Sequence, residues 1–292
     1  PLDIQFVFTA NPEDYTNRGS IVTPLKDRIG SQIFTHYPKS VELAKQITEQ
    51  EALISPEDRD KIQISDLAKN LLEEVAFVAR DSEYVDAKSG VSARLTISAM
   101  ENLFAAAKLR LLETGSEKTS IRLLDFMSII PSITGKIELV YEGEQEGADH
   151  VAKILIDDAI MVQFESLFPR IPKLEKEGLK TPYTDIIQWF NSNHLELNYA
   201  DTDKEFYKKL NSIKPLTTLI ENNVPELDEN EQATFLTPES CLNNYKMSFY
   251  QHGTAIYSAH GKHSGDEFFT SDFSIKSVLN YHQSTIAIKR LF

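Results

Sequence analysis

The spacing of apolar residues divides the chain into a short apolar run, a series of helices and a mixed C-terminal part. Residues 4–10 read Ile-Gln-Phe-Val-Phe-Thr-Ala, and this β-branched and aromatic run predicts a buried strand. Residues 11–38 contain many turn formers and predict a polar connection. A buried strand needs neighbours on both sides, and no second run of this type precedes residue 133. The expectation is therefore that most of the sheet lies upstream of residue 1.

From Ser40 to residue 132, apolar residues recur at helical spacing. Ser40 and Ser55 stand where serine side chains commonly cap the N-terminus of a helix. Helices are predicted to begin after these two serines and to cover residues 65–80, 95–112 and 120–130. These segments predict a compact helical subdomain over residues 39–132. Its expected buried residues are Leu71, Val75, Ile97, Phe104 and Leu124.

Residues 133–292 combine helical and strand-like segments. The strand candidates are residues 135–141 and 195–199, and the predicted helices are residues 151–168, 183–191, 204–222 and 241–260. The acidic run at residues 142–149 is interpreted as a solvated, mobile connector, because it lacks the alternating pattern of a calcium-binding loop. The fold class predicted for the whole chain is mainly α, with a few short strands.

The net charge and the cysteine content limit the partners and the cellular compartment that can be expected for this protein. The 292-residue chain has a formal net charge of −14, which does not favour nucleic acid or anionic lipid as a partner. Cys241 is the only cysteine, so an internal disulfide is excluded and a reducing compartment fits. No run approaches the roughly 18 apolar residues of a membrane span. The expectation is a cytoplasmic protein that does not bind membranes.

Three motifs stand in a fixed order. The apolar run ends in Thr-Ala-Asn11-Pro, a loop follows, and then comes Leu-Lys-Asp27-Arg28-Ile29. The third motif is Gly-Val-Ser-Ala-Arg94-Leu-Thr-Ile, at the start of the strongest predicted helix. Together they resemble the sensor-1 strand, the arginine-finger segment and the sensor-2 segment of AAA+ ATPases, and most closely those of the magnesium-chelatase and MoxR group. Ile29 departs mildly from that pattern, where an aromatic residue is usual.

The resemblance implies a role for each residue. Asn11 would be sensor 1, whose amide can orient the attacking water because it both donates and accepts hydrogen bonds. Arg28 would be the arginine finger, which acts on the phosphoryl oxygens across a subunit boundary. Arg94 would be sensor 2 and contact the same phosphates. Asp27 is implied as an interface partner, and Arg18 as a further contact across the subunit interface.

The resemblance also implies a domain organisation and partners. Residues 1–38 would end the α/β nucleotide-binding core, residues 39–132 would form the helical lid, and residues 133–292 would form a mostly helical C-terminal domain. The intact protein would use ATP and Mg²⁺ in a ring of like subunits. Hydrolysis there would drive metal insertion or the remodelling of a protein partner.

The motifs that bind nucleotide phosphates are missing from this sequence. It contains no G-x-x-x-x-G-K-[ST] loop, and no strand ending in an acidic pair precedes Asn11. The run Ile154-Leu-Ile-Asp-Asp158 resembles such a pair, but its helical flanks and its late position argue against that role. The chain alone is therefore expected to hold no cofactor and to hydrolyse no ATP.

Taken singly, each motif residue has an ordinary structural explanation. Asn11-Pro is a common turn sequence, Arg28 could form a solvated ion pair with Asp27 or Glu13, and Arg94 could be a surface arginine. Two further functions therefore stay open. One is a non-enzymatic helical interaction or regulatory module, and the other is the lid and C-terminal part of an AAA+ transcriptional regulator or kinase.

A metal site is not predicted from the histidines. His252, His260 and His263 lie close in sequence, but Gly253 and Gly261 interrupt the helix that would place them on one face. No cysteine or carboxylate stands at ligand spacing from them. The metal-ligand prediction is accordingly none.

Overall fold

The computed structural model describes residues 4–9, 24, 27–87, 89–169, 183–193, 195–225, 249–251 and 254–257. Within these residues the chain is mostly helical, as predicted, with a few short strands. The helices are α1 (Val41–Glu51), α2 (Pro56–Lys61), α3 (Asp66–Asp81), α4 (Arg94–Thr114), α5 (Ile130–Thr134), α6 (Tyr141–Glu146), α7 (Ala148–Leu167), α8 (Thr184–Ser192), α9 (Asp203–Leu210) and α10 (Lys214–Asn223). A 3-10 helix, Leu123–Ile129, precedes α5.

The strands form two small sheets. They are β1 (Ile62–Gln63), β2 (Thr119–Ser120), β3 (Leu195–Asn198), β4 (Phe249–Gln251) and β5 (Thr254–Tyr257). β1 and β2 pair in parallel, and the second sheet is antiparallel in the order β3-β5-β4. In its register, Leu195 lies opposite Tyr257 and Phe249 opposite Ile256.

Side-chain caps fix the starts of the first helices. The hydroxyl oxygens of Ser40, Ser55 and Ser65 each accept a hydrogen bond from the backbone N–H three residues later. Each bond satisfies one of the free N–H groups at a helix N-terminus. The predicted starts at Ser40 and Ser55 are confirmed.

The first core lies between α3, α4, the 3-10 helix, α5 and α7 and draws its buried residues from positions 52 to 160. α1 packs on α3 and α4 at its side. Leu71, Val75 and Phe104 belong to it as predicted, and Ile97 packs against it while partly buried. Because α7 packs on α3 and α5, this core continues across residue 132, where the sequence placed a domain boundary.

The second core is built by α8, α9, α10, β3 and the C-terminal end of α7. Its largest buried side chains include Phe164, Phe190 and Phe206. Leu124, expected with the helical subdomain, is buried in this second core instead. α7 thus contributes to both cores along its length.

The predicted buried strand at residues 4–10 is not formed in residues 4–9. These residues belong to no strand, and the side chains of Ile4, Phe6, Val7 and Phe8 are exposed. No described strand lies beside them to accept their backbone hydrogen bonds. A strand prediction from composition alone assumes such a neighbour.

Two C-terminal predictions are also wrong in the described part. Residues 249–251 and 254–257, predicted as helix, are β4 and β5, in line with their aromatic and β-branched residues. The helix predicted over 204–222 is two helices, because the chain turns at residues 211–213 before α10 begins at Lys214, with Pro215 in its first turn.

The segment at residues 135–147 also differs from expectation. Instead of a strand, it makes isolated antiparallel bridges from Ile137 to Val91 and from Leu139 to Val85. The acidic run that follows is largely helical and forms α6. Among the described residues, no helix is both long and apolar enough to cross a bilayer.

Candidate functional site around Arg94

Of the residues assigned by resemblance, Asp27, Arg28 and Arg94 are described, whereas Asn11 and Arg18 lie outside the described residues. Asp27 and Arg28 occupy a turn with exposed side chains. Arg28 Nη1 donates to the backbone oxygen of Pro24 at 2.5 Å. Within the described residues, Arg28 forms no ion pair with Asp27 and no contact with Arg94.

Arg94 is the first residue of α4, the longest helix described. Its side chain is exposed, and its guanidinium has no hydrogen-bond or ion-pair partner in the described part of the chain. Its backbone N–H donates to Ser92 Oγ at 3.3 Å, and Ala93, at the cap position, makes no side-chain cap bond. An unpaired cation at the positive end of a helix is suited to an anionic group.

Buried side chains of α1 and α3 pack against the first turn of α4. The hydroxyl groups of Thr96 and Thr48 lie 2.8 Å apart, and these residues are only 6 % and 1 % exposed. Glu73, from α3, is buried beside them. Burial raises the pKa of Glu73, and hydrogen bonds from the Thr48 and Thr96 hydroxyls oppose that shift only in part.

Tyr37 connects the segment that carries Arg28 to the loop that precedes α4. Its hydroxyl oxygen accepts a hydrogen bond from the Val91 N–H at 3.1 Å. The guanidinium carbon of Arg80 lies 4.3 Å from the centroid of the Tyr37 ring, in a cation–π contact. Tyr37 therefore joins the loop that enters α4 to α3.

Sequence reasoning missed a buried arginine at the other end of α4. The Arg110 guanidinium forms a two-point ion pair with Asp125, from Nη1 to Oδ1 at 2.5 Å and from Nη2 to Oδ2 at 3.2 Å. It also donates to Thr119 Oγ1 and to the backbone oxygen of Ser120. Burial alone would lower the pKa of Arg110, but the Asp125 carboxylate raises it.

A second buried arginine joins this pair to the second core. Arg122 Nη2 donates to Asp203 Oδ1 at 2.6 Å and to the backbone oxygen of Asp201 at 2.9 Å. Its guanidinium carbon lies 4.2 Å from the centroid of the Phe206 ring. Burial lowers the pKa of Arg122, and the neighbouring Arg110 charge lowers it further.

These two arginines are structural and lie away from Arg94. Arg110 follows Arg94 by 16 residues, which corresponds to about 24 Å along a helix. One signal in the sequence pointed to a buried Arg110, since it continues the apolar stripe through Leu103 and Ala107. The sequence around Asp203 does not predict its pairing with Arg122, because the two residues are 81 positions apart.

The described residues bring together no group of three or more His, Cys, Asp or Glu side chains suited to a metal ion. The three C-terminal histidines lie outside the described residues. No protein-family model, curated protein or solved structure matches this chain. The interpretation of Arg94 accordingly rests on the sequence motifs and on its own surroundings.

Proposed function

We propose that this chain is the C-terminal part of an AAA+ ATPase resembling magnesium chelatase, and that Arg94 binds nucleotide phosphate as its sensor 2. The observation that supports this most directly is the placement of Arg94. An exposed guanidinium without a described partner stands at the N-terminus of a long helix whose next residues, Leu95 and Thr96, are buried.

In this proposal the chain contributes two cations to a site whose remaining parts lie outside these 292 residues. Arg94 contacts the phosphates within its own subunit. Arg28, exposed in its turn, reaches the phosphates of the neighbouring subunit in the ring. The sequence has no phosphate-binding loop. The chain by itself would therefore turn over no ATP.

Nucleotide affinity tests this proposal in the protein expressed from the complete gene. We expect Arg94→Ala to weaken ATP binding roughly 10- to 100-fold, the effect of losing charged hydrogen bonds of about 1.5–3 kcal/mol. Arg59→Ala is the matched control, because Arg59 is also an exposed arginine of the helical unit. Equal affinities for the two variants by calorimetry would refute the assignment, as would a complete reading frame without a phosphate-binding loop.

A second candidate, a non-enzymatic interaction module, is favoured by one observation. Apolar side chains of residues 4–8 and of Ile33 and Phe34 are exposed in the described structure. Scattered exposed apolar residues are ordinary, but consecutive ones often mark a protein interface. The complete reading frame separates the two, because an interaction module needs no phosphate-binding loop.

A further inference from the structure

We propose that Thr96 and Thr48 are positioning residues that set the direction of Arg94, an inference that rests on the proposed function. Arg94 and Thr96 are two residues apart on α4, and two helical steps turn a side chain by about 200°. When the Thr96 hydroxyl points into the first core, Arg94 must therefore point outward. The rotation of the first turn decides where the guanidinium lies.

The described contacts hold that rotation from two neighbouring helices. Thr48 comes from α1, Glu73 from α3 and Thr96 from α4, and these three helices pack on one another. The two hydroxyls share a hydrogen bond of 2.8 Å in a buried setting, where leaving either group unpaired costs free energy. The bond therefore resists a rotation of the first turn that would separate the two threonines.

The Arg94 side chain has no other described support. Its backbone N–H donates to Ser92 Oγ, but its guanidinium forms no hydrogen bond or ion pair with a described residue, and the cap residue Ala93 makes no side-chain bond to the helix. The direction of Arg94 thus depends on the buried face of the same turn. Since displacing a binding group by about 1 Å can reduce its effect by about 10²-fold, a small rotation is enough to matter.

Thr96→Val tests this inference, because valine keeps the shape of threonine and removes the hydroxyl. In the protein expressed from the complete gene, we expect Thr96→Val to weaken ATP affinity about 3- to 10-fold. A loss of this size matches the coupling usually measured between residues that contact each other. In the Arg94→Ala background the same change should leave ATP affinity unaltered. Thr96→Ser should restore the affinity, and Thr48→Val should reproduce the loss from the opposite helix.

Thr119→Val is the matched control for stability. Thr119 is also a buried threonine with a hydroxyl bond, to Asp203 Oδ1 at 2.9 Å, but it lies beyond the far end of α4. The Thr119→Val variant should have a lower melting temperature, as Thr96→Val should, but an unchanged ATP affinity.

Three results would overturn the inference. An equal loss of affinity with and without Arg94 would show that Thr96 acts only on the fold. No loss in Thr96→Val or Thr48→Val, when Arg94→Ala does weaken binding, would reject the positioning role and leave the proposed function standing. If Arg94→Ala itself has no effect on ATP affinity, the proposed function fails, and the inference fails with it.

Discussion

At the scale of single residues, Glu73 carries an electrostatic cost within the first core. It is 3 % exposed, and its Oε1 has no hydrogen-bond partner among the described residues. Burial is the main cause of its raised pKa, and the hydroxyls of Thr48 and Thr96 and the charges of Arg80 and Lys45 lower it only in part. The folded state therefore binds the Glu73 proton more tightly than the unfolded state does.

This difference predicts the sign of a pH effect on stability. The contribution of Glu73 is fully present below its unfolded pKa of about 4.5 and is lost as the pH rises through the higher folded pKa. We expect Glu73→Gln to raise the melting temperature at neutral pH and to flatten its dependence on pH above about 4.5. Thermal unfolding at several pH values measures both effects.

Glu57→Gln supplies the control. Glu57 is exposed, and its pKa is lowered by its hydrogen bond to Lys61, so this variant should not gain stability at neutral pH. A melting temperature for Glu73→Gln that falls at neutral pH would contradict the assignment of Glu73 as a buried, poorly compensated carboxylate.

The sequence predicted some residues of the candidate site but not the residues that support them. Arg94 could be picked out because its motif is local and contiguous. Its support by Thr48 could not, because Thr48 lies 48 residues before Thr96 and outside the motif that contains Thr96. The helical stripe signals the burial of Arg110, but its pairing with Asp125 and the pairing of Arg122 with Asp203 are set by tertiary packing.

At the scale of elements, helix starts could be predicted from the local sequence, whereas strands could not be predicted without knowing which segment pairs with them. The N-terminal caps at Ser40 and Ser55 are decided within one helical turn, and both predictions hold. Strands depend on a neighbour that a single segment does not specify. That is why residues 4–9 were wrongly predicted as a strand, and why β4 and β5 were wrongly predicted as helix.

Helix α6 provides a test of packing at this scale. A β-carbon added at Gly143 would lie 2.5 Å from the backbone oxygen of Tyr84 and 3.2 Å from Leu139 Cβ. Replacing glycine by alanine within a helix usually stabilises by about 1 kcal/mol. Here we expect Gly143→Ala to destabilise by about 1–3 kcal/mol, because the backbone of residue 84 must move.

Thermal unfolding of Gly143→Ala beside Gly30→Ala checks this expectation. Gly30 has nothing within 4 Å of an added β-carbon, so its variant should unfold like the parent protein. An unchanged or raised melting temperature for Gly143→Ala would show that α6 does not pack on residue 84 as described.

At the scale of the whole molecule, the described part consists of two cores that share α7 and are joined by buried charges. Arg110 and Asp125 hold the end of α4 against the 3-10 helix, and Arg122 and Asp203 connect that region to α9. Breaking a buried pair of this kind typically costs 3–5 kcal/mol, far more than a surface pair. The helical character of this assembly was predictable from periodicity, whereas its division into cores depended on contacts distant in sequence.

The central claim is that this chain belongs to an ATPase ring, in which Arg28 would act on a neighbouring subunit's nucleotide, and a subunit-mixing experiment tests it most directly. In the protein expressed from the complete gene, Arg28→Ala should leave ATP binding nearly unchanged and lower turnover by about 10³–10⁵-fold. Loss of an exposed ion pair, worth about 0–1 kcal/mol, would lower it far less. Arg59→Ala again serves as the control.

The measurement is the ATPase rate of rings mixed from Arg28→Ala subunits and subunits that lack the phosphate-loop lysine. On this account each kind should be inactive alone, whereas some mixed interfaces should join an intact loop to an intact Arg28. The account predicts that part of the ATPase activity returns on mixing. No return of activity, in rings shown to assemble, would contradict it.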